Sequence, residues 1–400
     1  MNAPRTGWEV SGEWSTLAEE ATFLDQVASE TDANVGVAGY SVLGNPIWSA
    51  TIGNPNGQTL SLGGGVHGIE LSGREAALVL LRDMAYTPTP EQSDWLQDYQ
   101  LLIIPNINAD GIHAGARNNA RGLNLNRDYF QLTQPEIRAV ISTVRRFEPR
   151  IHIDLHEMAS STRHFEPRGG DLPGAESTLD SLAVDLQDDT IQHISGLGWN
   201  AKRYPGLAYA GAARTLEGMH ILSMLVELGS LTPRGDRMDI LSDYFARVMW
   251  WQTENEQALE NARQASITYH STTNDPIPIP KSLEIDSPPV TVPGGVYYPQ
   301  GHVPQKLLDL HGITRQPDGG IPTAQPARLF VAGLFDEASY QYVMGNEWWT
   351  PHTGNTDRAG VWAKQSGVLT GTRSAWVKRS GVHNRVASVW TKKDGVMRRA

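Results

Sequence analysis

Residues 60–70 read Leu60-Ser-Leu-Gly-Gly-Gly-Val-His-Gly-Ile-Glu70, and the interpretation of this stretch decides the fold. Its glycines satisfy G-x-G-x-x-G between a predicted strand and a predicted helix, which is the setting of a dinucleotide-binding fold. That fold needs an acidic residue at the end of a second strand about 20 positions further on, whereas Asp83 lies at the end of the predicted helix. A pyrophosphate-binding loop would also not carry His67 and Glu70. We therefore reject the nucleotide interpretation.

His67 and Glu70 form an H-x-x-E pair at the predicted strand-to-helix turn. A neutral imidazole and a carboxylate both suit zinc, and two side chains three residues apart at such a turn can reach one ion. The pair alone leaves two interpretations open. It is either half of a metal site or a solvated histidine followed by a glutamate at a helix start.

Three further predicted strands also deliver polar residues at their carboxyl ends, where open α/β sheets place ligand sites. The strand beginning at Tyr99 leads into the segment 116–128, the strand beginning at Arg150 ends in a histidine, and the strand beginning at Ile221 carries a glutamate. The polar residues delivered in this way are Arg117, Asn126, Arg127, His156 and Glu227.

In this order, over roughly residues 35–230, the motifs resemble the zinc metallocarboxypeptidase superfamily. Its branches are the carboxypeptidase A type and the succinylglutamate desuccinylase and aspartoacylase type. The resemblance implies an α/β fold with a mixed, largely parallel central sheet flanked by helices. It also implies one zinc ion per chain, bound by His67, Glu70 and His156. Three protein ligands leave a fourth position for water, as catalytic zinc sites do.

The resemblance also implies the remaining roles. Glu227 would take a proton from the water and pass it to the leaving amine, and Arg117 would stabilise the oxyanion. Asn126 and Arg127 would bind a terminal carboxylate, because a guanidinium presents a planar fork that matches it. Arg121 is a rival for the oxyanion role. The alternation of the strand places Asp154 and His152 on the same face as His156, so Asp154 is assigned as its orienting acceptor and His152 as a structural or surface residue.

Departures from the family pattern leave the substrate class open. Between Glu70 and His156 lie 85 residues, which is nearer the deacylase branch than carboxypeptidase A. The aspartate usual before Leu-Asn-Arg is Asn124 here, and the substrate tyrosine has only two candidates, Tyr204 and Tyr209. A peptidase and an N-acyl amino acid deacylase therefore both remain.

Absences in the sequence exclude other chemistries. The 400 residues contain no cysteine, which excludes a disulfide scaffold, a thiolate nucleophile and cysteine-ligated metal sites. No G-x-S-x-G or H-E-x-x-H pattern occurs, so neither a nucleophile-elbow hydrolase nor a helix-borne metalloprotease site is supported. No secretory signal or window of 18 apolar residues is visible, which predicts synthesis in a cytoplasm and no membrane span.

The formal net charge of −11 is unevenly distributed. Residues 361–400 hold nine basic residues and one acidic residue, whereas the preceding 360 hold 24 basic and 43 acidic residues. The acidic body argues against nucleic-acid binding, and the asymmetry indicates separate tasks for the two parts.

Alternating prolines from Asp275 onwards, in DPIPIPKSLEIDSPPVTVPGG, favour an extended spacer. We predict a catalytic domain over 1–270, ending in a helix from Arg237 to about Ala265, and a linker over 271–295. A Gly/Pro-rich β or irregular attachment region over 296–360 and a basic module over 361–400 complete a β-rich appendage. On this division, a fragment ending near Thr272 should fold and remain active.

The basic module repeats W-x-K-x-x-G-V three times, beginning at Trp362, Trp376 and Trp390. Each unit suits a strand, a glycine turn and a return strand, which predicts a small β-meander that also serves as a docking module. The repeats resemble the C-terminal repeats of tailed-bacteriophage virion proteins. This resemblance implies a minor tail protein made in the host cytoplasm, contacting other virion proteins and trimming the stem peptides of peptidoglycan. A structural virion protein with an inactive site is the remaining alternative.

Overall fold

In the computed structural model of the chain, the described residues are 3–159, 161–169, 173–206, 211–279, 289–299, 303–336, 339, 360–365, 368–375, 386–393 and 396–399. None of the helices in these ranges combines the length and apolar character needed to cross a membrane.

A seven-stranded sheet lies at the centre of the molecule, in the order β1-β2-β4-β3-β5-β7-β6. The four strands β4, β3, β5 and β7 are mutually parallel, and antiparallel strands complete both edges. This mixed, largely parallel sheet confirms the predicted fold class. Its strands are β1 (Asn34–Tyr40), β2 (Pro46–Gly53), β3 (Gln58–Gly63), β4 (Tyr99–Ile104), β5 (Ile151–Met158), β6 (Phe165–Gly169) and β7 (Leu222–Gly229).

Eleven helices are found among the described residues, together with a single 3-10 turn at Leu125–Arg127. Local signals fix several of their starts: Thr16 and Thr89 each form a capping box with the residue three positions on. The helices are α1 (Gly7–Ser11), α2 (Leu17–Glu30), α3 (Ser72–Tyr86), α4 (Pro90–Asp98), α5 (Ala109–Ala114), α6 (Pro135–Phe147), α7 (Ser177–Gly196), α8 (Ala212–Glu217), α9 (Arg234–Thr272), α10 (Gln305–His311) and α11 (Arg328–Phe335).

Two hydrophobic clusters pack these helices against the sheet. Apolar side chains of α2, α3, α7 and α9 belong to the first cluster. Its largest fully buried side chain is Trp251, on α9. Side chains of α6, α8, α10 and α11 belong to the second, in which Phe130 and Phe330 are in ring contact. Burial of this apolar surface is the dominant favourable contribution to the stability of both layers.

The glycines between β3 and α3 have a packing explanation. Gly65 adopts a positive φ of 62°, which favours glycine. A Cβ on Gly68 would lie 2.2 Å from the backbone carbon of Gly111, so this loop passes too close to α5 for any side chain. These constraints, rather than a pyrophosphate, account for the glycine-rich sequence.

The N-terminal segment before α2 is bound to the first turn of α3. Buried Glu75 accepts hydrogen bonds from the backbone N–H groups of Trp8 and Ser15, both at 3.1 Å. Arg74 donates to the carbonyl oxygens of Ser15 and Thr16, at 2.5 and 3.2 Å. The segment therefore satisfies two charged side chains that are otherwise enclosed by protein.

The chain after α9 packs differently from the predicted linker and attachment region. Short strands β8 (Ile277–Ile279) and β9 (Val290–Val292) pair with each other, and their apolar side chains join the second hydrophobic cluster. His311 of α10 is hydrogen-bonded through Nε2 to the Phe130 carbonyl oxygen at 2.6 Å and stacks on Phe330. The described parts of 277–335 thus belong to the same body as residues 3–272. Residues 280–288 of the predicted linker lie outside the described residues.

The physical reason for this difference is the pattern within the proline-rich stretch. Alternating proline prevents a helix but leaves Ile277 and Ile279 on one face of an extended segment, and both are fully buried. Two further short strands, β10 (Val296–Tyr297) and β11 (Ile321–Pro322), pair with each other. Arg328 of α11 also donates a hydrogen bond to the carbonyl oxygen of Thr273, just after α9, at 2.7 Å.

A second, four-stranded antiparallel sheet is formed by β12 (Gly360–Gln365), β13 (Val368–Ala375), β14 (Val386–Lys393) and β15 (Val396–Arg399). The first tryptophan repeat spans the β12–β13 pair and the third spans the β14–β15 pair. These two repeats therefore form the predicted strand and return strand. The second repeat, from Trp376, lies outside the described residues.

Candidate metal centre

The predicted metal ligands lie at one edge of the central sheet. His67 and Glu70 occupy the loop between β3 and α3, and His156 lies near the carboxyl end of β5. Because β3 and β5 are adjacent and parallel, their carboxyl ends meet at the same edge. The fold therefore brings together the H-x-x-E pair and a histidine distant from it in sequence, as the motif order predicts.

The donor atoms of the three side chains lie within 4.8 Å of one another. His67 Nδ1 is 2.9 Å from Glu70 Oε1, and His156 Nδ1 is 2.9 Å from Glu70 Oε2. The two Nδ1 atoms are 3.2 Å apart. All three residues are buried, so water competes little for these atoms.

The outward-facing imidazole nitrogens determine which atoms can bind a cation. His67 Nε2 lies 3.0 Å from Asn124 Oδ1, and His156 Nε2 lies 2.7 Å from Asp154 Oδ2. Since both oxygens are acceptors, each Nε2 carries a hydrogen, and in the neutral imidazole that would bind a cation each Nδ1 has its lone pair directed towards Glu70. Converging lone pairs and a carboxylate fit a tetrahedral zinc site with an acceptor behind each histidine.

The charges around the three ligands favour a positive charge at the position between their donor atoms. Burial alone lowers the pKa of His156, but the carboxylates of Asp154 and Glu70 outweigh it and raise that pKa well above 6.5. Burial alone raises the pKa of Glu70, but hydrogen bonds with His156 and His67 hold it well below its usual range. A divalent cation satisfies the same attraction, because nearby negative charge stabilises any cation.

Glu227 lies on β7 directly beside His156, its partner across the parallel pair. Its Oε2 has no hydrogen-bond partner among the described residues. Burial raises the pKa of Glu227 to about 7; His156 opposes the rise, whereas Glu70 and Asp154 add to it. A carboxylate with a pKa near neutrality and a free oxygen beside a metal site can accept and return a proton.

The predicted arginines differ in how they reach the site. Arg117 donates from Nη1 to Glu70 Oε1 and leaves about half of its side chain exposed. Arg127 donates to the Asn126 carbonyl oxygen at 2.7 Å, and its pKa is lowered by burial and by Arg117. Two guanidinium groups therefore lie near one another beside the metal ligands. The rival Arg121 instead makes a 3.5 Å contact with Gln134.

Asn126, predicted to bind substrate, has its side chain enclosed. Its Nδ2 lies 3.1 Å from His156 Nε2, and its Oδ1 accepts a 2.8 Å hydrogen bond from the Ala212 N–H. It is only 4% exposed. In this arrangement the side chain of Asn126 is bonded to the start of α8 and lies beside a ligand histidine.

Tyr204 is the substrate-tyrosine candidate that the described residues include. It packs against Ala213 and Leu225, and its pKa is raised by burial and by the nearby charges of Glu227 and Glu166. The residue therefore lies close to the proposed proton acceptor. Tyr209 lies outside the described residues.

Sequence reasoning assigned no role to two residues of the site, Asn124 and Glu157. Asn124 was visible as a departure from the usual aspartate, and its amide oxygen now replaces a carboxylate as the acceptor behind His67. Glu157 follows His156 directly, and no pattern marked it. His152 is a buried residue hydrogen-bonded to Ser61 at 3.0 Å, in agreement with its predicted structural role.

Comparisons with known proteins agree with this geometry. Residues 21–183 match the family model described as zinc carboxypeptidase. Carboxypeptidase 2 of Trichophyton rubrum is 32% identical over 154 residues, which are 37% of this chain and 27% of that protein. Carboxypeptidase SOL1 of Arabidopsis thaliana is 32% identical over 176 residues, covering 39% of this chain and 34% of the relative. The chain thus spans only about a quarter to a third of these relatives.

Solved structures show the same fold at lower identity. A metallo-carboxypeptidase from Burkholderia cenocepacia superposes with a TM-score of 0.52 at 19% identity, covering 59% of this chain and 69% of that one. Thrombin-activatable fibrinolysis inhibitor superposes with a TM-score of 0.52 at 15% identity, covering 65% and 81%.

Proposed function

We propose that this chain, whose residues 21–183 match the zinc carboxypeptidase family model, hydrolyses the amide bond next to a C-terminal carboxylate. The observation that carries the proposal is the triad of His67, Glu70 and His156 with Glu227 beside it. Three buried ligands and an adjacent carboxylate with a pKa of about 7 form a hydrolytic site rather than a structural one.

The residues divide the chemistry among them. Zinc, when bound, polarises the scissile carbonyl and makes a water molecule more acidic. Glu227 accepts the proton of that water and donates it to the leaving amine. Arg117 places a guanidinium beside Glu70, where it stabilises negative charge that develops on the carbonyl oxygen. Arg127 binds the terminal carboxylate through its planar fork.

The proposed substrate is the peptide stem of peptidoglycan, and the proposed location is a bacteriophage tail. Support comes from the basic tryptophan repeats of residues 361–400, two of which form hairpins of a separate small sheet. In this proposal the repeats attach the enzyme to neighbouring virion proteins. In this proposal the particle carries the enzyme to the cell wall.

A second candidate is an N-acyl amino acid deacylase. It is favoured by the 85 residues between Glu70 and His156, a spacing close to that of the aspartoacylase branch. In this case Arg127 would bind the carboxylate of a single amino acid. An inactive virion protein is the third candidate, and it predicts no turnover of any substrate.

One experiment separates the candidates. The zinc-loaded protein is incubated with peptides bearing a free or an amidated C-terminus, with N-acyl amino acids and with muropeptides, and products are identified by mass spectrometry. A carboxypeptidase releases one C-terminal residue from free peptides and leaves amidated ones intact. Cleavage of N-acyl amino acids alone would indicate the deacylase, and equal cleavage of both peptide forms would contradict a carboxylate requirement. The Glu227→Gln variant controls for contaminating peptidases.

A further inference from the structure

Glu157 connects the strand that carries His156 to the helix that follows Glu70. Its Oε1 accepts hydrogen bonds from the backbone N–H and the hydroxyl of Ser72, at 2.7 and 2.5 Å. Its own backbone N–H donates to Glu70 Oε2 at 3.2 Å. One residue therefore contacts a metal ligand through its main chain and the helix start next to that ligand through its side chain.

The first turn of α3 has a specific need for this carboxylate. Its N-cap residue, Leu71, provides no side-chain hydrogen bond, although the first N–H groups of a helix have no partner within the helix. Glu157 supplies the missing acceptor from the neighbouring strand, and negative charge at a helix N-terminus is favourable. The loop containing His67 and Glu70 is thus fixed at its far end by β5.

Arg237 of α9 holds the other oxygen of Glu157. Its Nη1 lies 2.5 Å from Glu157 Oε2, and the two side chains are only 7% and 8% exposed. The indole ring of Trp14 covers the guanidinium, with its centroid 5.5 Å from the Arg237 Cζ. The ion pair is therefore enclosed, and the orientation of the Glu157 side chain is set by two elements outside its own strand, α3 and α9.

We propose that Glu157 is a positioning residue, which fixes Glu70 relative to His156 by bonding Ser72 and pairing with Arg237. The proposal rests on the proposed function only in taking zinc as the metal. Because Glu157 has no contact with the metal position itself, its effect is on the spacing of the ligands. Substitution of residues that orient metal ligands typically weakens metal binding by about 10- to 100-fold.

The test measures zinc affinity by chelator competition in the Glu157→Gln variant of the full chain. Glutamine keeps an oxygen for Ser72 but removes the charge that pairs with Arg237. We expect zinc to bind about 10- to 100-fold more weakly. The matched control is Glu20→Gln, because Glu20 of α2 forms an ion pair with Arg74 of α3 that is even less exposed than the Glu157–Arg237 pair and makes no hydrogen bond to a metal ligand. Its zinc affinity should equal that of the wild type.

Thermal unfolding of the metal-free proteins separates positioning from general stability. Both variants should lose stability, but only Glu157→Gln should lose zinc affinity. Equal zinc affinities in the two variants would overturn the proposal. If Glu157→Gln does not fold, Ser72→Ala removes one of the two bonds to α3 and should weaken zinc binding by a smaller factor. An unchanged affinity in folded Ser72→Ala would also overturn it. Zinc binding is measured without substrate, so a failure of the proposed peptidase activity gives a separate result.

Discussion

Glu227 is the residue whose substitution should separate metal binding from turnover. Replacing it with glutamine removes the proton acceptor but leaves the ligand set intact, so the Glu227→Gln variant should bind zinc normally. Its kcat should fall by about 10²–10⁴, the usual contribution of a general base. Zinc content by atomic spectroscopy and steady-state kinetics on a free C-terminal peptide measure the two effects. Undiminished turnover would remove Glu227 from the mechanism.

Arg127 should control recognition of the substrate carboxylate. Lysine in its place keeps the positive charge but loses the planar fork, so Arg127→Lys should raise KM for free C-terminal peptides by about 10-fold, the effect of roughly 1.4 kcal/mol. Arg121→Lys is the matched control, because Arg121 lies in the same loop and contacts Gln134. An equal effect of the two substitutions would contradict a specific role for Arg127.

Some of these residues were predictable from sequence and others were not. His67, Glu70 and His156 were found because donor chemistry and motif order together restrict the choice. The enclosed position of Asn126 depends on the Ala212 N–H, which is distant in sequence. Glu157 gains its role only when α3 and α9 pack against β5, and no local pattern encodes that packing.

At the scale of elements, α10 and α11 should be required for folding. A fragment ending at Thr272 would expose the ring of Phe130 and remove its contacts with Phe330 and His311. Since loss of a single large buried side chain costs about 3–5 kcal/mol, we expect this fragment to aggregate. A fragment ending at Ser339 retains these contacts and should remain soluble, bind zinc and unfold cooperatively.

Size-exclusion chromatography and thermal unfolding of the two fragments test this expectation. A monomeric, zinc-binding fragment ending at Thr272 would instead restore the domain boundary predicted from sequence. The proline pattern could not reveal the contacts, because it specifies extended chain without saying what that chain packs against. The long helix α9 was predictable from its periodicity, although it extends to Thr272, beyond the predicted end near Ala265.

At the scale of the whole molecule, three buried neutral histidines should lower stability as the solution is acidified below about pH 6.5. Burial lowers the pKa of His152 to about 4 and the pKa values of His220 and His311 to about 3. Unfolded histidine has a pKa near 6.5, so between about pH 6.5 and these values the unfolded chain binds more protons. For each pH unit of acidification in this range, each of the three histidines therefore lowers the free energy of unfolding by about 1.4 kcal/mol. Above about pH 6.5 the three histidines are neutral in both the folded and the unfolded chain, and this loss of stability is absent.

Urea unfolding of the zinc-free protein between pH 8 and pH 5 measures this dependence. His311→Gln removes one of the three groups while keeping an N–H for the Phe130 carbonyl oxygen, so its stability should fall less steeply with acid. His113→Gln is the control, because His113 is exposed and should leave the slope unchanged. Identical slopes in both variants would contradict a neutral, buried His311.

The attachment of the N-terminal segment to α3 has a consequence for comparing this protein with its relatives. Sequence similarity is recognised over residues 21–183, yet Glu75 within that stretch depends on Ser15 outside it. Arg74 likewise depends on the carbonyl oxygen of Ser15. A recombinant fragment cut to the recognisable stretch would remove these partners from both charges, and the loss of one partner of a buried charge is strongly destabilising. The stretch with detectable sequence similarity is therefore shorter than the part of the chain that folds together. The ends of a fragment made for expression should follow the folded part and include the N-terminal segment.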